Sequence, residues 1–258
     1  MESIMRSAKN GLVINAERDI PLLRQVRNSK FVSHDQLYEL LRFSGSERSR
    51  DSFGWRVRRM LKAGLVEICE GTFESKIAVY RIARAGIALL EHHGQFTTVL
   101  HSNTAHLPHP SQVFHSLELN QIRLALVREN VLANWQSEIE VASFNTISCS
   151  PYQKDYDAIV DVWIGDRKRR FALEYERSLK SYRHYARIRT ALEAERELDC
   201  ILYLTVGREV LMHLVHEFHS VPRKLAFANA EDFERTVLST RVITAGSLAG
   251  APFWELLA

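Results

Sequence analysis

The sequence predicts an α+β protein of two domains, and three observations lead to that prediction. The first 95 residues show three short amphipathic helices followed by a two-stranded hairpin. Residues 112–258 alternate between helices and apolar strands, which is typical of an α/β domain with a mixed central sheet. Residues 96–111 are rich in Thr, Ser, His and Pro and lack periodicity, so we expect a linker between the domains 1–95 and 112–258.

Composition supports a globular protein and excludes several classes. Of the 258 residues, 46% are hydrophobic and 25% charged, which is enough apolar material for a core. The chain has no apolar stretch of about 18 residues, so we expect no membrane partner. Cys69, Cys149 and Cys200 fit no zinc spacing, and the N-terminus lacks the apolar core of a secretory signal. These features predict a cytoplasmic protein.

The first two helices are predicted from apolar spacing and a capping residue. Ile20, Leu23 and Val26 recur at helical spacing within residues 17–28. Ser33 then precedes an amphipathic segment with acidic residues near its start, which is the pattern of a capped helix.

The third helix is predicted near residues 48–63. Phe53, Val57, Met60 and Leu61 form an apolar stripe, and we expect Phe53, Val57 and Leu61 to be buried. Gly64 stands where a helix commonly ends. Trp55, outside this stripe, is also expected to be buried.

A hairpin and a further helix complete the first domain. Strands are predicted at 65–69 and 77–82, with a polar turn at 71–76, and a fourth helix at 81–94 that could mediate dimerisation. Three helices followed by a two-stranded hairpin constitute a winged helix-turn-helix. Such a domain binds either DNA or another protein.

Positive charge is concentrated in this first domain and favours DNA. Residues 1–95 hold 16 Lys and Arg against 11 Asp and Glu, whereas the rest of the chain is slightly acidic. A compact basic element is typical of a phosphate-binding surface, although a solvated helix face is the commoner meaning of a charge run. Arg56 and Arg59 are expected to face away from the apolar stripe. The predicted DNA-binding residues are Arg48, Arg50, Arg56, Arg58, Arg59, Lys62 and Lys76.

The second domain follows a helix, strand, strand, helix, strand, helix order. The last strand in this prediction is the short segment 224–228. The segments before it are a helix at 114–130, strands at 158–164 and 171–176, a helix at 178–196, a strand at 200–206 and a helix at 208–220.

Carboxylates lie at the centre of this second domain. Asp157 stands at the start of one strand, and Glu174 and Glu176 lie two residues apart on the next, so both glutamates share a face. Asp157 and Glu174 could hold Mg²⁺ or Mn²⁺, and Lys180 could stabilise charge on a phosphodiester. The competing interpretation places both glutamates on an edge strand, paired with Arg167–Arg170 or with Arg177 and Lys180.

Asp157 and the run Glu174-Tyr175-Glu176 resemble the motif of the PD-(D/E)XK nuclease fold. In that resemblance Asp157 and Glu174 are the acids, and Lys180 replaces the lysine of the motif. Tyr156 stands in place of the usual Pro and Glu176 in place of the usual Lys. The resemblance implies a nuclease-like site formed by Asp157, Glu174, Glu176 and Lys180.

The chain as a whole resembles the replication-relaxation family of plasmid and conjugative-element proteins. The resemblance rests on RRMLKAGLVE, VYRIARAGIALLE, HSLELN, Trp135 and the block FALEYERSLKSYRHY, within residues 17–206. Ala83 departs from the usual Thr. The family implies a DNA-binding protein of a mobile element, linked to replication, mobilisation or their control.

Three functions therefore follow from the sequence. The first is a DNA-binding protein of a mobile element with a degenerate nuclease-like domain. Its expected partners are double-stranded DNA, a second copy of the chain and a protein encoded by the same element. The second is an endonuclease dependent on Mg²⁺ or Mn²⁺ that the winged helix targets to DNA. The third is a protein-interaction adaptor.

Overall fold

The computed structural model divides the chain into two compact units. The N-terminal unit is Met1–Asn120 and the C-terminal unit is Gln121–Ala258. The predicted turn at 71–76 lies outside the described residues, as does most of the predicted linker at 96–111. The structure describes residues 13–69, 77–98, 109–149, 151–198 and 200–258.

The N-terminal unit contains the predicted helices and both strands of the predicted hairpin. Strand β1 is short, and with it the strands form a three-stranded antiparallel sheet in the order β1-β3-β2. The elements are α1 (Asp19–Ser29), β1 (Val32–Ser33), α2 (His34–Phe43), α3 (Arg50–Lys62), β2 (Val66–Ile68), β3 (Val79–Ile82), α4 (Arg84–His92) and the first part of α5 (Pro110–Arg128).

Side-chain caps fix where two of these helices begin. Ser33 and Gln36 form a reciprocal capping box at the start of α2. The Ser49 hydroxyl accepts a hydrogen bond from the Ser52 N–H at the start of α3. Ala83 precedes α4 and provides no side-chain cap.

The predicted stripe of α3 forms much of the N-terminal core. Phe53, Val57 and Met60 are buried, and the Phe53 ring centre lies 5.4 Å from that of Tyr38 in α2. Leu61 is only half-buried, so its predicted burial is wrong. The cause is angular, because Met60 lies closer than Leu61 to the direction of Phe53 on a helix of 3.6 residues per turn.

The first part of α5 is bonded to the rest of the N-terminal unit. The Gln36 side chain donates to the Leu117 carbonyl at 2.8 Å, and the Asn120 amide donates to the Phe31 carbonyl at 2.9 Å. The HSLELN segment therefore contributes to this unit through its backbone and its final asparagine.

The C-terminal unit is built on one seven-stranded mixed sheet, so the predicted α+β class is confirmed. The strand order is β10-β9-β8-β7-β6-β5-β4, and β6, β7 and β8 run parallel to each other. The elements after α5 are β4 (Leu132–Ser137), α6 (Glu138–Ile147), β5 (Ala158–Ile164), β6 (Arg167–Glu176), α7 (Tyr182–Ala194), β7 (Cys200–Thr205), α8 (Arg208–Glu217), β8 (Lys224–Asn229), α9 (Ala230–Thr236), β9 (Arg241–Thr244), β10 (Ser247–Pro252) and α10 (Phe253–Leu257).

Strand β6 lies in the middle of this sheet, between β5 and β7. On one face it contributes Ala172 to a core that includes Tyr185 of α7 and Leu214 of α8. On the other face Phe171 packs edge-on against Phe253 at 5.0 Å between ring centroids. The interpretation of β6 as an edge strand is therefore wrong, and both of its faces are covered.

Two parts of the C-terminal unit differ from the sequence prediction. Helix α6 occupies a segment to which no helix was assigned, and its start is fixed by a capping box of Ser137 and Glu140. The segment 224–228 is not the last strand, because β9 and β10 follow it. Strand β9 has only four residues and β10 contains Gly250 and Pro252, so neither shows a strand periodicity.

Candidate functional site

The outward face of α3 carries the cationic side chains that remain exposed. Arg48, just before the helix, and Arg58 and Lys62 on it are exposed, and within the described part of the chain they form no ion pair. Trp55 is 57% exposed, so its predicted burial is wrong. Trp55, Arg58 and Lys62 follow the spacing i, i+3, i+7 and therefore lie along one stripe of the helix.

Arg56 is not part of this surface. Its side chain is 5% exposed, and its guanidinium lies 3.2 Å from a Glu47 carboxylate oxygen and 3.7 Å from one of Asp19. The predicted outward position of Arg56 is therefore wrong. Arg56 follows Phe53 by three residues and precedes Met60 by four, so helical geometry places it beside the apolar stripe.

Arg59 and Arg50 each form an ion pair within the protein. Arg59 pairs with the buried Asp19 carboxylate, its guanidinium lies 4.9 Å from the Trp55 ring centre, and its side chain is 22% exposed. Arg50 is exposed but pairs with Asp35 at 2.6 Å. An exposed pair of this kind is weak and can open toward a phosphate. The predicted contact Lys76 lies outside the described residues.

The three predicted carboxylates of the C-terminal unit lie at adjacent positions of β5 and β6. Glu174 and Glu176 are buried on the face of β6 that also presents Ala172 to the core. Asp157, directly before β5, accepts a hydrogen bond from the Tyr175 N–H at 2.8 Å. This bond continues the antiparallel pairing of Ala158 with Leu173.

Each glutamate has a lysine partner. Lys180 donates to Glu176 at 2.5 Å, as one of the sequence interpretations expected. The Lys154 ammonium lies 2.5 Å from a carboxylate oxygen of Glu174. Lys154 was not predicted, since it lies in an irregular loop where no periodicity assigns a side chain to the site. Its one sequence signal is its position three residues before Asp157.

The electrostatic environment of this cluster disfavours the ionised form of Glu174. Burial raises the pKa of Glu174 to about 7, and the charges of Asp157 and Glu176 add to that rise against the opposing effect of Lys154. Burial lowers the pKa of Lys180, but the charge and hydrogen bond of Glu176, with the charges of Glu174 and Asp157, together raise it above its usual value. Burial and the charges of Glu174, Glu176 and Asp157 raise the pKa of Tyr203 well above its usual range.

The cluster does not form a metal centre of the usual kind. In the described ranges, no three His, Cys, Asp or Glu side chains are grouped so that they could hold a metal ion. Lys154 and Lys180 instead neutralise Glu174 and Glu176. A Mg²⁺ or Mn²⁺ ion would require several oxygen ligands free of such partners, so the residues do not fit this ion.

Comparison with protein-family models identifies a relationship over most of the chain. Residues 23–196 match the family described as replication-relaxation. The chain belongs to this family. No curated protein and no solved structure matches the chain.

The region shared with the replication-relaxation family contains most of the residues discussed above, although not Asp19 or Tyr203. It begins within α1 and ends just after α7, so it includes α3, the three carboxylates and both lysines. Membership of the replication-relaxation family indicates a role in the replication or relaxation of a mobile element. Among the described residues, no helix is long and apolar enough to cross a membrane.

Proposed function

We propose that this member of the replication-relaxation family binds duplex DNA through a winged helix in its N-terminal unit. In this proposal α3 is the recognition helix, β2 and β3 form the wing, and the C-terminal unit is a nuclease-like domain that does not cleave DNA. The proposal goes beyond the general role in replication or relaxation that the family indicates.

The observation that carries the proposal is the exposed set formed by Arg48, Trp55, Arg58 and Lys62. Arg48 lies just before α3, and the other three side chains project from this helix, whose opposite face is fixed in the core by Phe53 and Met60. A recognition helix needs this arrangement, because it must be rigid on one side and cationic on the side that enters the major groove.

The state of the acidic cluster supports DNA binding without cleavage. Hydrolysis in a nuclease-like site of this kind relies on carboxylates that hold a metal ion, whereas Glu174 and Glu176 are each paired with a lysine. The lysine pairs give these carboxylates a structural role in the middle of the sheet. Homodimerisation through α4 stays a prediction.

Replacing both Arg58 and Lys62 by Ala should weaken duplex DNA binding about tenfold at moderate salt. Each lost phosphate contact should also reduce the slope of log affinity against log salt concentration by about one unit. Fluorescence anisotropy with a labelled duplex over a salt series measures both quantities. The fold should survive, because both side chains are exposed.

The matched control is the double variant Arg24→Ala and Arg84→Ala. It removes the same charge from exposed positions on α1 and α4, so a general loss of positive charge would affect both double variants equally. Equal affinities and salt slopes for the two double variants would show that α3 is not the DNA-binding element.

A further inference from the structure

The carboxyl ends of two parallel strands meet at one edge of the central sheet. Glu176 ends β6 and pairs in register with Thr205, which ends β7, and the Val206 N–H donates to the Glu176 carbonyl at 3.2 Å. Ligands of open α/β sheets commonly bind outside the carboxyl ends of their strands. The segments that follow the two strands therefore border a candidate binding edge.

Three large apolar side chains are exposed at this edge. Leu179 is 45% exposed, Val206 is 46% exposed and Tyr182 is 73% exposed. A cluster of exposed apolar side chains on a folded unit commonly marks a surface for interaction. We call Leu179, Tyr182 and Val206 the edge patch.

Tyr182 is held in place although its ring is exposed. It is the first residue of α7, and the loop before it is anchored where the Tyr185 hydroxyl accepts a hydrogen bond from the Lys180 N–H at 3.0 Å. Tyr185 itself is buried in the core against α8. The aromatic ring of Tyr182 thus stands on a rigid support, which is what a stacking platform requires.

The outward face of α7 next to Tyr182 is cationic. Arg183 and Arg187 are exposed, and within the described ranges neither forms an ion pair. Among the neighbouring charges, Arg208 at the start of α8 adds to the positive charge and Glu209 opposes it. Glu193 lies about three turns further along α7 and limits the cationic face at that end.

We propose that the C-terminal unit binds single-stranded DNA at this edge. A base stacks on Tyr182 within the edge patch, while Arg183 and Arg187 contact the phosphates of the same strand. Stacking on an exposed aromatic side chain beside arginines is the general mode of sequence-tolerant binding to single strands. This inference deepens the proposed function by adding an unpaired strand as a second DNA ligand, separate from the duplex that α3 binds.

Fluorescence anisotropy of the full chain with a labelled oligothymidine of 12 nucleotides tests this inference. We expect Tyr182→Ala to weaken single-strand binding about tenfold, and Tyr182→Phe to remain within about twofold of the wild type, because Phe keeps the stacking surface. Arg183→Ala with Arg187→Ala should flatten the salt dependence for the single strand. Duplex binding should stay within about twofold in all three variants.

Two controls make the result specific. Trp254→Ala removes another partly exposed aromatic ring, and it should leave single-strand binding unchanged. The Arg58→Ala and Lys62→Ala variant should bind duplex about tenfold more weakly and keep single-strand binding.

The inference is overturned if Tyr182→Ala binds the oligothymidine as tightly as the wild type. It is also overturned if the wild type binds duplex but no single strand, a result that would leave the proposed function intact. Failure to bind either ligand would overturn both proposals.

Discussion

Arg56→Ala should destabilise the N-terminal unit by about 3–5 kcal/mol, a much larger effect than expected for removing any exposed arginine of α3. The substitution deletes the cation between Glu47 and Asp19, two carboxylates that are almost completely buried. Without Arg56, Glu47 retains among the described residues only the partly exposed Arg18 and Asp19 retains only Arg59, so two buried carboxylates lose their shared buried cation. Removing a cation from buried carboxylates costs more than breaking an exposed pair. Urea unfolding followed by Trp55 fluorescence, in a background where the other three tryptophans are replaced by Phe, measures the change.

The neighbouring variant Arg58→Ala is the control, because it removes the same side chain from the exposed face of α3. It should change the free energy of unfolding by less than about 0.5 kcal/mol.

The pH dependence of the free energy of unfolding adds a second check. Burial alone would raise the pKa of Glu47, but hydrogen bonds from the Arg48 and Ser49 backbone and the charges of Arg56 and Arg18 lower it. The stability from Glu47 is therefore lost as pH falls, and Arg56→Ala should diminish that loss. Equal unfolding free energies for Arg56→Ala and Arg58→Ala would contradict the buried position of Arg56.

Lys154→Met should destabilise the C-terminal unit more at pH 8 than at pH 5. At pH 5 the Glu174 carboxyl, whose pKa is raised to about 7, is protonated in the folded protein and needs no counter-charge. At pH 8 it is ionised beside Lys154, so the variant must either bury an unpaired carboxylate or take up a proton. We expect a loss of about 1 kcal/mol at pH 5 and about 1.4 kcal/mol more at pH 8, because pH 8 lies about one pH unit above the pKa of Glu174.

The sign follows from linkage. Because the folded-state pKa of Glu174 exceeds its unfolded value of 4.5, the folded protein holds the extra proton between these values, and its stability falls as pH rises through this window. Glu174→Gln should remove that fall. In the Glu174→Gln background, the loss of stability caused by Lys154→Met should be the same at pH 5 and at pH 8. Thermal unfolding of the four proteins at both pH values provides the comparison, and an equal cost of Lys154→Met at pH 5 and pH 8 would refute the assigned pair.

The order of elements in the N-terminal unit was predictable because each helix carries its own local signal. Ser33 and Ser49 mark two helix starts, and Phe53 and Val57 mark the buried stripe of α3. Burial of Arg56 depends instead on carboxylates from other segments, so the charge run alone suggested a fully exposed basic face. The available sequence signal for the burial of Arg56 was its position three residues after Phe53 and four before Met60, which places it beside the apolar stripe.

The acidic cluster was predictable in part for a similar reason. Period two placed Glu174 and Glu176 on one face of a strand, and the spacing of four residues suggested the pair of Glu176 with Lys180. The pair of Glu174 with Lys154 joins two residues 20 positions apart through a loop without periodicity. That pair, which the sequence did not predict, places a cation beside Glu174 in the buried cluster.

Incubation with supercoiled plasmid in Mg²⁺ or Mn²⁺ tests DNA binding without cleavage most directly. Samples of wild type, Glu174→Gln and the Arg58→Ala, Lys62→Ala variant are divided, with one half run as a gel shift and the other deproteinised and scored for open-circular DNA. The proposal predicts that wild type and Glu174→Gln retard the plasmid equally, that the α3 variant retards it less, and that none of them nicks it. Metal-dependent nicking by the wild type that Glu174→Gln abolishes would contradict the proposal and establish an endonuclease, and a plasmid that no protein retards would contradict DNA binding itself.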